Sequence, residues 1–216
     1  MDMLLLVGIL LLNVLISILN CYVVGSTWKD AVTMGTWFHR AVLRSAVVQS
    51  GVGFSMPILL LLAFGTAAYS TAGTEPIMTQ AEAKEFLQVI FNLWYVAVIL
   101  PIIGTGFIIW AHSLREAYRR RDFVSIAAAG WNSYAQISNT LSAVNNLGGA
   151  MSNVGEFFGK AMSGKEDGKG KFAILVLLIV VIALIAGFMI AFGLVRYFAN
   201  RADSRIEQFG REHARA

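Results

Sequence analysis

The sequence predicts an all-α, polytopic membrane protein with four transmembrane helices, a fifth crossing being the alternative. Three observations carry that reading. Of 216 residues, 57% are hydrophobic and only 14% are charged, where soluble domains run near a quarter charged. A soluble chain of this length leaves too much surface exposed to hide so much apolar area. Four uncharged runs are each long enough to cross about 30 Å of hydrocarbon, which takes roughly 20 helical residues.

The runs are 3–28, 45–74, 86–111 and 172–195. Each should be helical, because a backbone in lipid must satisfy its own hydrogen bonds. Trp28, Trp37, Trp94, Tyr95, Trp110 and Tyr197 fall near run ends, where amphipathic rings favour the membrane–water interface. Pro57 and Pro101 lie inside the second and third runs, near Gly51, Gly53, Gly65, Gly104 and Gly106. They predict kinks and close helix packing. A broken-helix substrate site of the transporter kind is the competing reading.

The first run carries Asn13, Ser17 and Asn20 at i, i+4 and i+7. That is one polar stripe, suited to packing between helices or to lining a hydrated path. Cys21 ends an apolar stretch as in a lipoprotein signal, but Asp2 stands where a basic segment is required and Asn20 replaces the small residue before the cysteine. Lipidation and cleavage are therefore not expected, and the first run should persist as a span. One cysteine permits no intramolecular disulfide and no cysteine-based zinc site. His39, His112 and His213 are far apart in sequence, so no metal site is expected.

The region 112–163 opens with the basic cluster Arg119, Arg120 and Arg121, placed to contact anionic headgroups. It continues through 33 residues, 123–155, without a charge. Positions 123, 127, 130, 134, 137, 141, 144, 148, 151, 155, 158 and 162 form an apolar seam at alternating four- and three-residue spacing, the mark of an amphipathic helix or helical pair. The other face carries Gln136, Asn139, Asn146 and further amides and hydroxyls. Two placements compete: a helix on the membrane or against the other spans, and a subunit–subunit packing element. For packing, the seam should be buried and the amide face should meet protein or trapped water. Residues 164–171, GKEDGKGK, read as a flexible linker. The segment 172–216 is a span continuing into a projecting basic helix, with an apolar stripe at Val195, Phe198, Ala202, Ile206 and Phe209 and a favourable Glu207–Arg211 pair. The chain thus divides into a three-helix region, 1–111, the central segment, 112–163, the linker and the final span with its tail.

Lys and Arg should gather on the cytoplasmic side. Four spans put the five-arginine tail outside, opposite the first loop; five spans bring it inside, and the cytoplasmic count changes only from eleven to twelve of seventeen. The charge rule does not separate them, and the polarity of 123–155 favours four.

No Asp, Glu, Lys or Arg lies inside the four runs, which counts against ion-coupled transport, proton relays and voltage sensing. No HExxH, GxSxG or Walker motif occurs. The expected function is a non-catalytic membrane subunit, with no cofactor, that assembles with copies of itself or with other membrane proteins. A bacterial secretion or conjugation apparatus, or the membrane layer of a virion, are fitting settings. Its expected partners are membrane lipids and other membrane proteins, not nucleic acid, and its expected location is a bacterial inner (cytoplasmic) membrane or a virion membrane. The alternative is a channel or passive transporter with a pore lined by uncharged polar residues.

Overall fold

The computed structural model describes residues 3–33, 35–72, 77–162 and 169–213, with side chains from residue 7 and excluding 169–171 and those beyond 203. Five helices follow one another: α1 (Met3–Thr33), α2 (Trp37–Thr71), α3 (Gln80–Arg120), α4 (Phe123–Met162) and α5 (Lys169–His213). Among the described residues there is no strand. Helices α1, α2, α3 and α5 are long and apolar enough to cross a membrane. The chain is an integral, all-α membrane protein.

Local chemistry sets the boundaries. Thr36 caps α2, its hydroxyl accepting the His39 N–H at 3.3 Å. Thr79 and Glu82 form a reciprocal capping box at the start of α3, satisfying N–H groups the helix leaves free. Pro57 and Pro101 lie within α2 and α3, which remain continuous helices around them. The end of α3 is abrupt: Arg121 adopts the left-handed conformation, φ 56°, and Asp122 accepts the Ser125 N–H at 2.8 Å to start α4. That N–H and the Ser125 hydroxyl hold the Asp122 carboxyl below the usual carboxylate range.

The two-residue link at Arg121–Asp122 forces α4 to return along α3, as in any short helical hairpin. Their contacts run in opposite order over the full height: Trp110 meets Ser133, Gln136 meets Ile103, and Tyr95 meets Ser142. Near the far end, Phe157 joins the core formed by Phe86, Val89 and Ile90. So α4 lies beside the same stretch of α3 that the sequence marks as a span. Its charge-free 33 residues are about 50 Å long at 1.5 Å per residue, ample for the hydrocarbon layer.

The other pairs complete an up-and-down order. Helices α1 and α2 are antiparallel, with Asn13 on Gly53 and Ser17 on Ser50. Helix α5 is parallel to α1: Cys21 touches Ala191, and Lys29 pairs with Asp203 at 2.5 Å. The start of the tail therefore sits at the end of the bundle that holds the first loop, the arrangement of the five-crossing alternative. A chain entering α5 from the opposite end requires α4 to travel the bundle's height. The tail stripe at Ile206 and Phe209 and the Glu207–Arg211 pair lie outside the described side chains, as does most of the linker; α5 already begins at Lys169.

Helix α5 is the rear spine, packing against α2 along its length, near α3 and α4 at its start and against α1 at its end. A Cβ on Gly187 would lie 2.6 Å from the Ser55 nitrogen and closer still to the Gly51 carbonyl oxygen. That contact admits only glycine without moving a backbone. It is the close approach through which helices associate in lipid, where tails are as apolar as the side chains.

Helix α4 reverses the expected facing. Its buried residues are Ala129, Gln136, Ala143, Ala150 and Phe157, seven apart, the repeat of a helix–helix contact line. The apolar seam points outward: Tyr134, Ile137, Leu141, Val144 and Met151 are all more than half exposed. Among the described residues nothing covers the seam, and burial of the seam against a partner subunit is a separate expectation. In water a seam turns inward to leave solvent; in a bilayer the outside is itself apolar, and here Asn132, Gln136 and Asn139 turn inward while Asn145, Asn146 and Asn153 stay exposed.

Candidate functional site

The polar residues of α1 and α4 face each other across the middle of the bundle. Asn13, Ser17 and Asn20 form one wall, and Asn132, Gln136 and Asn139 the other, around a cavity of about 310 Å³. Both triplets have the spacing i, i+4, i+7, so each is a single stripe on its helix. Gln49 and Gly53 of α2, with Gly106 of α3, lie between the walls. The two wall helices do not pack against each other, and α5 contributes nothing to the lining. The result is a groove of mixed lining, its amides interleaved with apolar residues such as Ile16, Val52 and Ile102, with α2 and α3 as its floor.

Hydrogen bonds fix part of the lining. The Asn13 amide donates to the Gly53 carbonyl at 3.2 Å, the Ser17 hydroxyl to the Asn13 carbonyl at 2.8 Å, and the Ser50 hydroxyl to the Ser17 carbonyl at 3.2 Å. On the opposite wall the Gln136 amide nitrogen donates to the Ile103 carbonyl at 3.3 Å. Its amide oxygen, in a side chain only 5% exposed, has no hydrogen-bond partner. That oxygen lies over Gly106, in space that a Cβ there would occupy. None of the lining residues is charged.

Further cavities adjoin this chamber in a row. At the basic end, a cavity of about 520 Å³ shares Ile109 and Asn132 with it. Toward the other end, a cavity of about 600 Å³, lined by Asn92, Tyr95, Asn145, Asn146 and Asn153, shares Met56 and Trp94 with it. A last, smaller one at Glu85, Glu156 and Lys160 shares Asn153. The row follows α4 over most of its length.

Of the residues singled out from the sequence, Asn13, Ser17, Asn20, Gln136 and Asn139 thus meet in one chamber. Asn146 does not: it is exposed in the neighbouring cavity and donates to Ser142 at 3.3 Å. Arg119 and Arg120 both bind the Glu116 carboxylate, at 3.1 and 2.7 Å, and the Arg121 guanidinium stands 5.7 Å from the Tyr118 ring centroid. His39 and His112, far apart in sequence, come together with ring centroids 6.2 Å apart beside these arginines.

Sequence reading missed Gln49, Asn132 and the two floor glycines. The repeat of the i, i+4, i+7 pattern at 132, 136 and 139 was the available signal. Near the span ends, the Trp94 and Trp110 indoles bond to neighbouring helices, Trp94 donating to Ser55 at 2.9 Å and Trp110 to Ser133 at 2.8 Å. The chain matches no family model, no curated protein and no solved structure.

Proposed function

We propose that this protein is a non-catalytic membrane subunit that works within a larger homo- or hetero-oligomeric assembly. The observation that carries the proposal is the polar groove between α1 and α4. Asn13, Asn20, Asn132 and Asn139 are half-buried along it, and among the described residues no helix closes the space between its walls. Lipid tails offer amides no hydrogen bonds, and an unpaired polar group in hydrocarbon costs several kcal/mol. A covering polypeptide supplies those partners; amides and small side chains are the surfaces through which membrane helices associate.

Orientation follows from charge. Lys29, Arg40, Arg44, Arg115, Arg119, Arg120, Arg121, Arg196 and Arg201 belong to the end where α1 finishes and α4 begins. The positive-inside bias assigns that end to the cytoplasm, in a bacterial inner membrane, or to the interior face of a virion membrane. Arginines at this end are positioned to meet anionic headgroups.

The test is native mass measurement in mild detergent, backed by cross-linking in intact membranes. The proposal expects a defined species heavier than one chain. It also expects Asn139→Lys, which places a charge under the cover, to break that species, while Leu141→Ala on the outward seam leaves it intact. A monomer in both measurements refutes it.

A further inference from the structure

We propose that the cleft at the basic end of the bundle binds the phosphate headgroup of one anionic phospholipid. The proposal rests on the placement of this end at a cytoplasmic headgroup layer, and it is independent of the assembly.

The cleft lies where the end of α3 and the start of α4 meet the start of α2. On α3, Ile109, His112, Glu116, Arg119 and Arg120 follow at three- and four-residue steps, so they share one face. That face changes from apolar to basic toward the helix end. Across the cleft, Val124, Ala128 and Asn132 repeat every four residues on α4. The Arg121–Asp122 turn joins the two helices, so the arginines stand with Val124 at the outer end. Ile109 and Asn132 stand at the inner end, toward the bilayer centre. Phe38 and His39 of α2 form a third side, their ring centroids 6.0 and 6.2 Å from that of His112.

Arg115, Arg119 and Arg120 line the cleft against a single carboxylate, Glu116, which leaves two positive charges in excess. Glu116 accepts from Arg119 at 3.1 Å and from Arg120 at 2.7 Å, and so holds both guanidiniums at the mouth. Each guanidinium has five N–H donors, and its bond to Glu116 leaves donors for a phosphate, which arginine suits by its planar fork. His39 and His112 each carry a ring N–H donor in either charge state.

The remaining wall selects a lipid over a soluble anion. Phe38, Ile109, Val124 and Ala128 are apolar. Free phosphate gains nothing from them, whereas a glycerophospholipid lays its glycerol and the first acyl carbons against them. The volume, about 520 Å³, falls within the range of small-molecule sites, about 300–1,000 Å³. The cleft is partly open to its surroundings, as entry from the bilayer requires. Basic pockets between membrane helices on the cytoplasmic side hold such headgroups.

Arg121 separates a built site from general attraction to an anionic surface. It does not line the cleft; its guanidinium stands over Tyr118, two residues from Glu116 and so off the cleft face. General attraction treats Arg115 and Arg121 alike, and the site does not.

The experiment is native mass spectrometry of the full chain in mild detergent, offered equal phosphatidylglycerol and phosphatidylcholine. The expected result is one phosphatidylglycerol retained per chain, several-fold over phosphatidylcholine. Arg115→Gln, at an exposed position, should lower retention by about five-fold, the factor for one basic residue at an anionic surface. Arg121→Gln should leave it unchanged. Ala128→Trp fills the apolar wall without changing the charge and should also abolish retention, with thermal melting in detergent showing that each variant folds. Excess glycerol 3-phosphate should not displace the lipid. Equal retention of the two lipids, or equal loss from Arg115→Gln and Arg121→Gln, overturns the site. Displacement by glycerol 3-phosphate assigns the cleft to a soluble anion and overturns the lipid. The same masses count chains: a monomer that keeps its lipid overturns the assembly and leaves the site standing, and an oligomer without lipid does the reverse.

Discussion

Helices α4 and α5 are nearly equal in length, 40 and 45 residues, and hold the bundle in opposite ways. Helix α5 is apolar all round over 172–195; it packs through Gly187 against the α2 backbone and through Val176, Ile179, Val180 and Ala183 in the core. Helix α4 packs through Ala129, Gln136, Ala143 and Ala150 and gives its larger apolar residues to the outside. For α5 the lipid and the neighbouring helix are interchangeable environments, so close fit decides the contact. For α4 they are not, so hydrogen bonding decides it.

The largest expected effect breaks the outward half of that comparison. Ile137→Asp places a charge on the lipid face of α4, at a cost of about 3 kcal/mol near the bilayer centre. Insertion measured by glycosylation mapping should fall sharply, while Ile137→Val should be neutral. If Asp is tolerated there, the seam faces water and α4 lies outside the membrane.

The next change attacks the fit of α5. Gly187→Leu drives a side chain into Gly51 and Ser55 and should destabilise the bundle by about 2 kcal/mol, within the range for overpacking. Thermal stability in detergent measures it. Gly193→Leu, on the same helix where a Cβ meets nothing, should be silent.

A smaller loss is expected where one hydrogen bond ties α2 to α3. Trp94→Phe removes the donor to Ser55 and leaves a buried hydroxyl, worth about 1 kcal/mol. The smallest effect belongs to Lys29–Asp203, since Lys29 is 72% exposed and surface ion pairs contribute about 0–1 kcal/mol. Lys29→Met should change stability by less than Trp94→Phe, and high salt should erase the Lys29→Met effect.

Most of the helical fold was legible from hydropathy, because α1, α2, α3 and α5 each carry an uncharged apolar run. The period of α4 was legible as well, and its facing was not. The same four-and-three spacing of Phe123, Tyr134, Ile137 and Leu141 marks a buried seam in water and a lipid-facing one in a bilayer. The direction of α5 was hidden for a related reason. Loop charges gave nearly equal bias for either tail position, and only contacts such as Cys21 with Ala191 separate parallel from antiparallel. At the site, the stripe at Asn13, Ser17 and Asn20 was visible in one helix alone. Its counterpart at Asn132, Gln136 and Asn139 has meaning only once the Arg121–Asp122 turn brings α4 back along α3.

The most direct test of that return path is the side of the membrane on which each end lies. With Cys21→Ser as background, single cysteines at Thr33, Asn200 and Gly159 report the end of α1, the start of the tail and the far end of α4. An impermeant thiol reagent applied to sealed, oriented vesicles should label Thr33→Cys and Asn200→Cys from the same side and Gly159→Cys from the other. Labelling of the Thr33 and Asn200 positions from opposite sides would contradict a fifth crossing by α4.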